Sequence, residues 1–91
     1  MNNEEVLEKV SDAVAIVLSK DSGEISGESM LEKDLGAESI DFIDISFELE
    51  NTLGYEVDFK DVIAKVREKK GDENIKDMSI GDVVGYIVEK Q

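Results

Sequence analysis

Histidine, cysteine, proline and tryptophan are all absent from this sequence of 91 residues. Without cysteine the chain can form no disulfide, and without histidine it lacks the side chain that most often activates a serine for catalysis. No apolar run approaches the roughly 20 residues that a membrane helix needs, and the start MNNEEVLEK lacks the basic residues of a signal peptide. We therefore expect one cytoplasmic domain over residues 1–91, with no membrane insertion.

Basic residues are scarce, since 10 Lys and Arg stand against 23 Asp and Glu, a net charge of −13. This balance disfavours nucleic acid as a partner, because phosphate contacts need Lys and Arg. Residues 21–61 hold thirteen acids and two bases, whereas residues 62–91 hold six of each. Such clustering favours a docking surface for basic protein patches over a surface that only maintains solubility.

Apolar residues recur at spacings of three and four in four segments, and no stretch alternates like a strand. With no proline available, polar caps and glycines set the helix boundaries. The fold class is therefore all-α, a small four-helix bundle with a long loop between helices one and two. The first predicted helix is Asn3–Leu18, and the second is Ser39–Thr52, which ends shortly before Gly54. The third begins after the cap Asp58 and ends before Gly71, and the fourth begins after the cap Ser79. Asp61 and Asp82 stand at the capping-box positions of the third and fourth helices.

The connection between the first two helices, residues 19–38, is long for a compact domain. We expect a turn within it at residues 29–34, opened by Ser29 with Glu32 three residues later. Apolar residues spaced along the connection should anchor it to the bundle: Ile25, Met30, Leu31 and Leu35.

The second predicted helix carries two apolar stripes, although a helix of a small bundle needs only one. Exposed apolar groups with charged neighbours are typical of a binding surface. The stripe expected to enter the core is Phe42, Ile45, Leu49 and Leu53. The surplus stripe, called the outer stripe below, is Ile40, Ile43 and Phe47.

Ser39, where this helix begins, has three possible roles. As a cap, its oxygen would accept a hydrogen bond from a backbone N–H. As a nucleophile it would need a base, which the sequence does not offer. As a modification site, it would hold a phosphodiester in the positive field of a helix N-terminus. The residues alone leave the first and third roles open, and no acidic spacing matches a calcium loop, so we expect no metal site.

The stretch LEKDLGAESIDFIDISFELENTLGYEV, residues 31–57, resembles the core of acyl carrier proteins. That family has a Leu-Gly pair, then Asp-Ser-Leu, then an acidic amphipathic helix, and Gly36 and Ser39 match it directly. The resemblance covers about residues 3–63 and 75–90 and implies the family's four-helix fold.

The resemblance implies that Ser39 receives 4′-phosphopantetheine from coenzyme A through a separate, magnesium-dependent phosphopantetheinyl transferase. The thiol of this arm would carry acyl groups as thioesters, so the protein would be a monomeric carrier and not an enzyme, with no catalytic residues. Its partners would be enzymes of fatty-acid, lipid or polyketide-type biosynthesis that have basic docking patches. The family's recognition residues correspond here to Glu38, Ile40, Asp41, Ile43, Asp44, Phe47 and Glu50.

Three departures from the family pattern favour a specialised carrier over the general carrier of fatty-acid synthesis. Glu38 stands where the family usually has Asp, Ile40 stands where it has Leu, and residues 58–79 are longer and more basic than its third helix. A peptidyl or aminoacyl carrier, and an unmodified acidic interaction module, remain as alternatives. The aliphatic core is equally compatible with an ordinary core and with one that admits an acyl chain.

Overall fold

The computed structural model describes all 91 residues, which form four α-helices and one short 3₁₀ turn. The helices are α1, Asn3–Leu18; α2, Ser39–Leu53; α3, Phe59–Lys70; and α4, Ile80–Lys90; the 3₁₀ turn is Ser22–Glu24. α1 packs against α2 and α4, and α3 also contacts α2 and α4. The chain has no strand, only an isolated β-bridge between Met30 and Ser79. The predicted all-α, four-helix fold is confirmed.

Helix ends fall close to the residues that the sequence predicts. The Asn2 side chain accepts a hydrogen bond from the Glu5 N–H at 2.9 Å at the start of α1. Gly54 and Gly71 end α2 and α3 with φ angles of 81° and 66°, in the left-handed region that glycine adopts without strain. α2 ends at Leu53, one residue later than predicted.

The first turn of α4 forms the predicted capping box. Ser79 Oγ accepts the Asp82 N–H, and the Asp82 carboxylate accepts the Ser79 N–H, each at 3.0 Å. Burial by itself would raise the pKa of Asp82, but hydrogen bonds from the Ser79 backbone and from Lys70 outweigh it, so the pKa lies below its ordinary value. This carboxylate therefore stabilises the fold in its ionised form.

The first turn of α3 is capped differently from the prediction. Asp58 accepts the Lys60 N–H at 2.9 Å, but Asp61 does not complete a box. Its carboxylate accepts the Tyr86 hydroxyl and lies 3.3 Å from the Lys90 ammonium, both on α4. These two partners lower the pKa of Asp61. The Asp61 carboxylate therefore binds two groups of α4, one of them charged, in place of the one backbone N–H that a capping box would offer it.

A single aliphatic core joins the four helices. Ile45 and Leu49 of the predicted inner stripe are fully buried, with Phe42 and Leu53 at the edge of the core. The Phe42 ring stacks on buried Phe59 of α3, with centroids 5.3 Å apart and planes 8° from parallel. α2 is thereby fixed with one face inward and the other face toward solvent.

The long connection between α1 and α2 is anchored, as predicted, by buried Ile25, Leu31 and Leu35. Met30 is the exception, because its side chain is only partly buried and its backbone bridges to Ser79 instead. No helix of the structure has both the length and the apolar character needed to cross a bilayer.

Candidate functional site

Ser39 is the first residue of α2 and not its cap. The N-cap is Glu38, whose backbone is extended, with φ −109° and ψ 167°. The Ser39 side chain is exposed, and its hydroxyl forms no hydrogen bond to another group of the protein. The capping role considered for Ser39 is therefore wrong, and its oxygen is free to react.

Asp41 replaces Ser39 as the residue that organises the first turn. Its Oδ2 accepts the Glu38 N–H at 2.8 Å, while the Glu38 carbonyl accepts the Asp41 N–H at 2.9 Å. The N–H groups of Ser39 and Ile40 have no acceptor in the protein. Two free donors at the positive end of a helix favour an anion, so the residues present fit a phosphodiester on the Ser39 oxygen.

The segment that leads to Ser39 is held by a continuous set of hydrogen bonds. Every backbone N–H from Met30 to Glu38 donates to an acceptor within the protein. Gly36 has a φ of 73°, which explains why glycine suits this position. Ser39 is therefore presented by an ordered segment, although the segment contains no helix.

The turn inside this segment differs in detail from the prediction. It spans residues 30–35, and Asp34 accepts the Met30 N–H at 2.8 Å, the role expected of Glu32. Ser29 instead accepts the Ser26 N–H at 3.0 Å. Glu32 takes part through its backbone, because its N–H donates to the carboxylate of Asp77, a residue that sequence reasoning missed.

The outer stripe lies on the surface, as predicted. Ile40, Ile43 and Phe47 are 67%, 58% and 59% exposed, whereas Ile45 and Leu49 on the opposite side of α2 are fully buried. Burying the outer stripe would gain free energy, so it is suited to contact with another molecule.

A shallow groove of about 280 Å³ runs beside the outer stripe. It includes residues after α2 that sequence reasoning did not assign to the site, because that reasoning considered helix faces alone. The residues that line it are Ile43, Ser46, Phe47, Glu50, Glu56, Val57 and Asp58. Glu56 and Asp58 extend the acidic border of the outer stripe beyond the helix.

The acids of α2 have no basic partners. Glu38 at the N-cap and Asp44 and Glu50 within the helix are exposed, and neither the Glu38 carboxylate nor any carboxylate of α2 lies within 4.0 Å of a Lys or Arg nitrogen. Together with the outer stripe they form a surface that is apolar at the centre and negative at the border. Its charge is available to a molecule that approaches from solution.

The basic residues of α3, in contrast, are largely used within the fold. Ion pairs join Lys69 to Glu89 and Lys70 to Asp82, so α3 is tied to α4. The side chain of Arg67 donates to the Ile75 carbonyl at 2.8 Å. These contacts inside the protein thus involve three of the six basic residues in the range 58–79. The dedicated partner that this basic range suggests stays a prediction.

Comparison with known proteins agrees with this geometry. Residues 8–67 match the family model described as the phosphopantetheine attachment site. The chain is 32% identical to the acyl carrier protein of Thermotoga maritima over 98% of its own length and 95% of that protein. It is 30% identical to the acyl carrier protein of Rubrobacter xylanophilus, over 100% of its own length and 98% of that protein. It is 39% identical to the acyl carrier protein of Prochlorococcus marinus, over 63% of its own length and 71% of that protein.

These matches define a phosphopantetheine-bearing protein of the carrier class. The chain belongs to the acyl carrier protein family. It is a carrier and not an enzyme, and its prosthetic group is covalently attached 4′-phosphopantetheine. The family implies a phosphopantetheinyl transferase and acyl-processing enzymes as its partners.

Proposed function

We propose that Ser39 is the residue to which the 4′-phosphopantetheine arm is attached. The observation that carries this proposal is the free Ser39 hydroxyl, exposed at a helix N-terminus beside two N–H groups without acceptors. Ser46, the other serine of α2, is half-buried in the middle of the helix and has no such donors beside it. The positive end of α2 stabilises the negative charge of a phosphodiester at Ser39 and would not do so at Ser46.

The chemistry required of this chain is small. The Ser39 oxygen forms a bond to the phosphorus of the pantetheine phosphate, the bond between the two phosphates of coenzyme A breaks, and adenosine 3′,5′-bisphosphate leaves. The serine proton passes to a base of the transferase. When attached, the arm supplies a thiol that holds acyl groups as thioesters, while the protein positions the arm and provides the electrostatic field around its attachment point.

We further propose that partner enzymes dock on the outer stripe and the acids beside it. The exposed apolar side chains have the area to bury, and the unpaired carboxylates attract basic patches and raise the rate of encounter. Asp41 contributes mainly by fixing the first turn, because one of its oxygens is held by the Glu38 N–H. The proposed docking residues are Glu38, Ile40, Asp41, Ile43, Asp44, Phe47 and Glu50, with Glu56 and Asp58 added from the groove.

Residues 1–91 function in this proposal as one monomeric carrier domain. Its cargo consists of acyl groups, and its partners are basic-patched enzymes of fatty-acid, lipid or polyketide-type biosynthesis. The unpaired acids of α2 support such partners, since docking of this kind is fast, weak and sensitive to salt. Those properties suit a carrier that visits several enzymes in turn.

The test is an intact-mass measurement after incubation with coenzyme A, magnesium and a promiscuous phosphopantetheinyl transferase. We expect the mass to rise by one arm, the rise to vanish in Ser39→Ala, and Ser46→Ala to behave like the wild type. Loss of the modification in Ser46→Ala, or its persistence in Ser39→Ala, would refute the assignment. If no transferase modifies the folded protein, the unmodified interaction module becomes the better explanation.

A further inference from the structure

The loop before Ser39 is held from a distant part of the chain by one side chain, Asp77. Its Oδ1 accepts the Glu32 N–H at 2.8 Å and its Oδ2 accepts the Lys33 N–H at 3.0 Å. Oδ1 also accepts the N–H of Met78 at 2.9 Å. A carboxylate that accepts N–H groups makes stronger bonds than a neutral acceptor, and here both oxygens are used.

Backbone bonds continue from this contact toward α2. The Leu31 N–H donates to the Met78 carbonyl at 2.8 Å, and the Leu31 carbonyl accepts the Ala37 N–H at 2.8 Å. The Glu32 carbonyl accepts the Gly36 N–H at 3.0 Å. Ala37 is itself buried and lies two residues before Ser39. A shift of the Asp77 contact would therefore be transmitted to the residue that precedes the N-cap.

The contact also has no substitute among neighbouring groups. The N–H groups of Glu32 and Lys33 donate to Asp77 alone, so its removal leaves two adjacent donors without a protein acceptor. Backbone bonds between the two segments would remain, including the Leu31 N–H to the Met78 carbonyl at 2.8 Å and the Ile80 N–H to the Ser29 carbonyl at 2.9 Å. These bonds would keep α4 against the loop, while residues 32 and 33 of the turn would lose their anchor to the α3–α4 connection.

We propose that Asp77 is a positioning residue for modification of Ser39: it fixes the turn at residues 30–35 so that the Ser39 oxygen is presented to the transferase in one orientation. This inference depends on the assignment of Ser39 as the attachment site. Asp77 lies on the α3–α4 connection, outside the outer stripe, so its contribution is to the reacting geometry and not to docking. A misplaced reacting atom slows the chemical step even when binding is intact.

The test compares Asp77→Ala and Asp77→Asn with the control Asp72→Ala. Asp72 lies on the same connection and carries the same charge, but its carboxylate accepts only the local Asn74 N–H at 2.9 Å. We expect Asp77→Ala to lower the transferase kcat about tenfold with KM for the protein within about twofold of wild type. Asp77→Asn, which keeps one acceptor oxygen, should fall in between, and Asp72→Ala should match the wild type.

Amide hydrogen exchange in the unmodified proteins provides a readout that does not depend on the transferase. Exchange should accelerate at Glu32 and Lys33 in Asp77→Ala, while the amides of the α4 core keep their protection. Wild-type kcat in an Asp77→Ala protein modified at Ser39 would overturn the positioning role and leave the Ser39 assignment intact. Attachment at a residue other than Ser39 would overturn both, and unchanged exchange at Glu32 and Lys33 would overturn the contact itself.

Discussion

Replacing one exposed isoleucine on α2 should separate docking from folding. Ile43 is 58% exposed in the outer stripe, and Ile16 on α1 is 64% exposed but outside it. Truncating either to Ala removes three carbons, each worth about 0.8 kcal/mol when buried. If docking buries the exposed part of Ile43, Ile43→Ala should cost about 1.4 kcal/mol of docking free energy, or about tenfold in kcat/KM.

The pair of variants is matched in its effect on the fold. Each side chain has roughly 40% of its area buried within the protein, so each truncation should cost about 1 kcal/mol of stability and lower Tm by about 5 °C. The assay is the transferase reaction with the protein as varied substrate, alongside thermal melts. Ile16→Ala should keep kcat/KM within twofold of the wild type. Equal kcat/KM for the two variants would show that the outer stripe does not dock the transferase.

Further predictions concern charge and pH. Asp44→Lys reverses an exposed, unpaired acid of α2 and should lower transferase kcat/KM severalfold at low salt, with little change in Tm. The loss of kcat/KM should shrink as salt is added, because salt screens the charges. The same reversal at exposed Glu8 of α1 should have little effect on kcat/KM, and equal losses in the two variants would refute a local docking role. Asp82→Asn should lower the free energy of unfolding by about 1 kcal/mol at pH 7, measured by urea melts. Because folding lowers the pKa of Asp82 below 3.8, the stabilisation is present above that pH and is lost as the pH falls through the folded pKa. The gap in unfolding free energy between variant and wild type should therefore close when the pH is lowered well below 3.8. A gap that persists unchanged at that pH would contradict the charged role of Asp82.

Local sequence signals were sufficient for the helices and for the two faces of α2. Caps, glycines and apolar spacing act within a few residues, which is why the predicted end of α2 at Thr52 differs by only one residue from its observed end at Leu53. The outer stripe could be identified because a helix in a small bundle has only one face to bury, and Ile45 and Leu49 already occupy it.

Features that depend on contacts distant in sequence could not be predicted. Asp61 follows its cap at box spacing, yet it binds Tyr86, 25 residues later. Asp77 reaches back 44 and 45 residues to the turn before α2. No local pattern distinguishes either carboxylate from an ordinary surface acid, because its partners come together only when the helices pack.

The cap of α2 was a local feature that sequence reasoning still left undecided. Serine is a stronger N-cap than glutamate, so propensity favoured Ser39 over Glu38. The choice is settled by Asp41, whose carboxylate takes the Glu38 N–H and places Ser39 inside the helix. The same arrangement leaves the hydroxyl without an internal partner.

Fragmentation mass spectrometry of protein purified from its native cell, under conditions that preserve phosphoesters, is the most direct test. The spectra should locate a 4′-phosphopantetheine group on the side-chain oxygen of Ser39 and on no other serine. Detection of the arm on a different residue, or of a wholly unmodified Ser39 in freshly isolated protein, would contradict this account.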